Sequence, residues 1–130
     1  MRLDWSLRTS LAPYKKLEKT TILELTFVSE IIRDICYNED QAKAMLGEPV
    51  ALALKRRLAD IRAEEFVTGL LAGTPKEIIH NGSPAYKLNL STQDLLIFCS
   101  GHTPSPTFKD GRLDWHQVSR VKLIQIGPIC

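Results

Sequence analysis

The spacing of apolar residues along this chain switches between two and three-to-four, and the switches divide it into elements. Leu23, Leu25 and Phe27 alternate with polar neighbours, which predicts a strand over 21–28. Ser29 then suits a helix N-cap, and Ile31, Ile32, Ile35 and Cys36 fall on one helical face. Asn38 and Asp40 can break and restart that helix, and Gly47 can end it. Pro49 suits the first turn of a new helix, whose apolar stripe is Val50, Leu54, Leu58 and Ile61. The short connection at Gly47-Glu48 predicts two helices packed antiparallel.

Beyond the helices the period returns to two. Residues 69–84 hold three glycines and two prolines and read as an irregular connection. Tyr86, Leu88 and Leu90 then face one side of a strand, and Lys87 and Asn89 face the other. Residues 91–94 can turn the chain into the continuous apolar run at 95–99, which suits a central strand. A long loop over 100–117 carries Pro104, Pro106 and the turn pair Asp110-Gly111, and a last strand is predicted over 118–126. A run of helices followed by a run of strands implies an α+β domain, with a helix pair packed on a mainly antiparallel sheet of about four strands. Leu3, Leu7 and Leu11 recur at helical spacing before Pro13, so residues 1–20 read as an N-terminal extension and 21–130 as the domain. The tetrapeptide Arg-Leu-Asp-Trp occurs at 2–5 and again at 112–115, as chance or as a fragmentary duplication.

Composition narrows this picture only a little. A chain of 130 residues fits one domain, and 44% hydrophobic with 25% charged residues is ordinary for a globular protein. The formal charge is +2, and residues 66–130 carry six basic against four acidic side chains. Cys36, Cys99 and Cys130 are odd in number and contain no C-x-x-C, which suggests neither a disulfide framework nor a zinc knuckle. Charged residues interrupt the first apolar stretch, and no run reaches membrane-spanning length, so a reducing cytoplasm is the simplest compartment.

The candidate chemistry is basic. Lys87 shares a strand face with Asn89, and Arg120 shares one with Lys122. If those two strands are neighbours, Lys76, Lys87, Arg120 and Lys122 line one phosphate-binding surface. Ordinary solvated charges on an open sheet face would give the same pattern. His80, near Lys76, is the remaining acid–base candidate, its alternative being a plain loop histidine. His102 and His116 lack partners at metal-ligand spacing, so no metal site is expected. No cofactor is expected either, since no phosphate-binding loop or dinucleotide fingerprint is present. Trp5 and Trp115 can stack on bases, or simply anchor core and loop.

Four stretches, taken in order, resemble the RelE/ParE toxin superfamily and within it the HigB-like toxins of type II toxin–antitoxin modules. They are GEPVALALKRRLADIRA at 47–63, GTPKEI at 73–78, AYKLNLSTQDLLIF at 85–98 and GRLDWHQVSRVKLIQIG at 111–127. The resemblance implies a sheet with helices on one face, a helix-turn-helix antitoxin as partner and ribosome-dependent mRNA cleavage. It also implies arginines on the two hairpin strands and a Gly-Asp-Tyr-His-like ending. Here the hairpin positions are Asn89 and Leu95, and the ending reads Gly127-Pro128-Ile129-Cys130. Asn89 carries no charge for a phosphate, and neither Leu95 nor Ile129 can neutralise one or shuttle a proton. Three readings follow: an mRNA endonuclease with an altered site, a relative that acts by binding alone, docking on gyrase or titrating an antitoxin, or an unrelated small α+β interaction protein. The first two part on whether Lys76, His80 and Lys87 converge in one cleft.

Overall fold

The structure, a computed structural model, describes residues 23–128. The predicted extension at 1–20, Trp5, Ile129 and Cys130 lie outside the described residues. The chain runs β1 (Glu24–Phe27), α1 (Glu30–Tyr37), α2 (Glu39–Leu46), α3 (Glu48–Ala63), β2 (Lys76–His80), β3 (Ser83–Asn89), β4 (Asp94–Ser100) and β5 (Arg120–Pro128). Single 3-10 turns stand at Val67–Gly69 and Trp115–Gln117. The domain is α+β, as the pattern predicts.

The helical half follows its caps. Ser29 Oγ accepts the Ile32 N–H and starts α1. Asn38 both ends α1 and caps α2, its Oδ1 accepting the Gln41 N–H at 3.0 Å. The predicted helix pair is therefore three helices, because this one asparagine completes the break the sequence allows. Gly47 turns the chain into α3 at φ +86, a conformation that costs a residue with a Cβ, and Pro49 sits in the first turn. The predicted stripe Val50, Leu54, Leu58 and Ile61 is buried throughout, with Leu54 and Ile61 fully enclosed. Ile31 departs from its predicted face: it is 62% exposed, while Ile35 and Cys36 enter the core.

The sheet has five strands in the order β1-β5-β4-β3-β2, not about four. The missing strand is β2, within the segment that reads as irregular. Asn81 and Gly82, at φ 51 and 82, make the two-residue turn between β2 and β3. An Asn-Gly pair is the standard sequence signal for such a hairpin, and here it lies among glycines and prolines that mask it. β2·β3, β3·β4 and β4·β5 pair antiparallel, and β1 pairs parallel with β5 at the other edge. β4 is central, as its unbroken apolar run suggests.

The main core lies between the helices and one face of the sheet. It joins Leu54, Leu58 and Ile61 to Leu88, Leu96, Phe98, Val121 and Leu123. The long loop closes over its end. Trp115 is buried against Tyr86 and Phe98 and donates its Nε1–H to Glu77 Oε2 at 2.8 Å, pinning the loop to β2. A second, smaller cluster of Ala85, Leu95 and Ile97, with Ile78, Cys99 and Ile124 against it, occupies the opposite face.

Candidate functional site

Strand alternation puts every predicted site residue on that opposite face. Lys76 stands directly across from Lys87, Ile78 from Ala85, and His80 from Ser83. Lys87 in turn faces Ile97, and Asn89 faces Leu95. Cys99 faces Lys122, which is paired on its other side with Thr26. The register of β4 on β5 slips at Ile97/Phe98, which leaves Ile124 as an extra residue on the Lys122 face and brings Ile126, opposite Leu96, to the helix-side core. None of the three helices belongs to this cluster.

The condition set for a shared phosphate surface is not met as stated. β3 and β5 are not neighbours; β4 lies between them, so Lys87 and Lys122 are about 10 Å apart across the sheet direction alone. Ile97 and Cys99 fill that gap. His80 is not a loop histidine but the last residue of β2, four positions from Lys76, or about 13 Å along the strand. Lys76 and Lys87 converge; His80 stands away from both.

Arg120 has an acidic partner of its own at the exposed sheet edge. Its Nε donates to Glu24 Oε1 at 3.0 Å, across the β1–β5 edge. The path of its side chain depends on Gly101, since a Cβ there would meet Arg120 Cγ at 2.8 Å. Lys76, Lys87 and Lys122 make no ion pair among the described residues. Lys122 lies close enough to the Cys99 thiol to pull its pKa down, but burial is the larger effect and the net shift is upward.

The histidines outside this face fasten the loop. His102 Nε2 accepts the Ser119 N–H at 3.0 Å, which requires that nitrogen to be unprotonated. His116 stacks on Phe66 with ring centroids 4.0 Å apart. Trp115 is spent on the core. Phe27, Tyr86 and Phe98 all point to the helices, so among the described residues no aromatic ring stands on the open face of the strands. No three His, Cys, Asp or Glu side chains gather there or elsewhere among the described residues.

The departures from the resemblance acquire geometry. Leu95 is buried in the small cluster at 7% exposure, opposite Gly127. Asn89 is tied by its backbone, its N–H donating to Gly73 O at 2.7 Å. Gly73 sits at φ +84, and a Cβ there would press on Arg57 Cδ at 3.0 Å and Asn89 O at 3.2 Å. Sequence reasoning missed two structural anchors, Glu77 and Gly73. Glu77 alternates onto the helix side of β2, a placement visible only once β2 is recognised as a strand.

The face as built can attract anions at Lys76 and Lys87 and bury apolar surface beside them. Among the described residues it sets no histidine beside those lysines. No helix among the described residues is long and apolar enough to cross a membrane. No protein-family profile, no curated protein and no solved structure matches the chain.

Proposed function

We propose that this chain is the toxin-type component of a type II toxin–antitoxin module, RelE/HigB-like in fold, and that it acts by binding and not by cutting RNA. What supports the toxin part is the ordered resemblance of four segments over 47–127, joined to an α+β domain with its helices on one face of the sheet. On that reading the protein works in the cytoplasm, docks on a large target such as the ribosome, and is held by a helix-turn-helix antitoxin.

The observation that carries the binding part is the composition of the open face. Cleavage through a ribose 2′-hydroxyl needs a base, an acid and positive charge around one phosphate. Here two lysines meet across a register pair, while the only histidine on that face is about 13 Å from one of them. The central strand between the cations is apolar.

The test is mRNA cleavage by the purified full chain, with and without programmed ribosomes, mapped by primer extension. The expected result is no new ends from protein shown to be folded by circular dichroism. Discrete ribosome-dependent cuts would overturn the binding-only reading and restore an endonuclease with a rearranged site.

A further inference from the structure

Like charges directly across a strand pair destabilise a sheet, and proteins usually avoid them. This chain keeps Lys76 opposite Lys87 and adds Lys122 two strands away, with no carboxylate of the described residues paired to any of the three. Among the described residues, the acidic side chain placed on that face of a strand is Glu24, and it pairs with Arg120. Among the described residues the positive charge of the three lysines has no counter-charge, and it flanks an apolar strip. Ala85, Leu95 and Ile97 form the floor of that strip, and the half-buried Ile78, Cys99 and Ile124 remain open to contact.

We propose that the open face docks an acidic, amphipathic polypeptide segment of a partner protein, its carboxylates on Lys76, Lys87 and Lys122 and its apolar side chains on Ile78, Cys99 and Ile124. The proposal rests on the binding reading above and names the chemistry of the partner. Charge complementarity selects the occupant. A second copy of this chain would bring lysines against lysines. Nucleic acid satisfies the charge but not the rest of the surface. It gains from aromatic platforms and from guanidinium forks on phosphate; among the described residues this face has no aromatic ring, and its arginine shares its Nε with Glu24. A polypeptide can alternate carboxylate and apolar groups at the spacing the strands present. Five strands span roughly 19 Å, which an extended segment of about six residues crosses.

The test uses the full chain and fluorescence anisotropy with three labelled probes: a peptide of about eight residues alternating Glu and Val, its Lys–Val counterpart, and single-stranded oligouridine. The Glu–Val peptide is expected to bind, to weaken with added salt, and to lose about tenfold or more in affinity in the double variant Lys76→Glu/Lys87→Glu. That variant keeps a like-charge pair at the same register, so its thermal midpoint should stay close to the parent's, which separates lost binding from lost folding. The Lys–Val peptide should not bind. If oligouridine binds more tightly than the acidic peptide and the double variant abolishes it, the acidic-segment proposal is overturned and the binding reading stands with nucleic acid as its partner. If neither probe binds the folded protein, the proposal also fails, and growth arrest on induction decides whether the toxin reading fails with it.

Discussion

The two faces of the sheet are built from the same strands and differ in what they leave unsatisfied. On the helix side, Leu88, Leu96, Phe98 and Leu123 are fully enclosed and every ring has a neighbour. On the other side, Ala85, Leu95 and Ile97 form a small cluster with Ile78, Cys99 and Ile124, and three lysines stand without carboxylate partners among the described residues. Adjacent residues on β4 sample both environments. Phe98 is at 0% exposure within the three-helix core, and Ile97 is at 5% within the small cluster. The first face carries the larger core; the second has a small buried cluster and three lysines that no carboxylate of the described residues pairs.

Truncation on β4 separates the faces most strongly. Phe98→Ala should cost about 3–5 kcal/mol, because it opens a cavity that the helices and Trp115 cannot fill. Ile97→Ala should cost less, about 2–3 kcal/mol, because the buried cluster it belongs to is smaller. Urea denaturation of both variants measures the difference, and equal losses would mean that the open face is as fully packed as the other.

High pH should strike the helix side as well. Burial pushes the Cys36 thiol up to about 12, with Arg62 opposing. The unfolded thiol ionises nearer 9, so the folded state disfavours the thiolate. The stability associated with this group is intact below about pH 9 and is lost as pH rises from there toward 12. Cys36→Ala should flatten that alkaline loss in a pH series of denaturation midpoints. The same burial should leave Cys36 inert to iodoacetamide in folded protein.

The loop anchor should show an intermediate effect. Trp115→Phe keeps most of the ring but deletes the donor to Glu77, at an expected cost of about 1–2 kcal/mol. Glu77→Gln retains an acceptor and should be milder, so the ordering of the two variants identifies the hydrogen bond as the cause.

The smallest stability effect is expected on the open face, and with the opposite sign. Lys87→Glu converts the like-charge pair with Lys76 into an attractive one and should stabilise the fold by about 0.3–1 kcal/mol while weakening the docking of an acidic segment. A residue that improves stability when changed and impairs binding marks a surface kept for a partner. If Lys87→Glu destabilises, the lysine has a structural role that this account omits.

Legibility in the sequence follows the same division. The core stripe of α3, the cap at Ser29 and the central place of β4 are local patterns, and local patterns survive in one dimension. β2 does not, because its Asn-Gly turn lies within a stretch whose glycines and prolines suggest disorder of pattern. The parallel edge of β1 on β5 joins residues about a hundred positions apart, and no periodicity encodes that. For the site, alternation alone places Lys87 with Asn89 and Arg120 with Lys122. The strand order, which inserts β4 between them, is tertiary information. So is the capture of Arg120 by Glu24, a pair separated by 96 positions. The lysine pair at Lys76 and Lys87 needs the register of a hairpin that the sequence obscures.

On the proposed reading, the open face carries the function while the other face carries the fold. The most direct test is growth arrest on induced expression of the full chain beside the double variant Lys76→Glu/Lys87→Glu, with thermal midpoints measured on both purified proteins. Arrest by the parent, none by the variant, and closely similar midpoints are expected. Equal arrest by the variant, or no arrest by the folded parent, would contradict that reading.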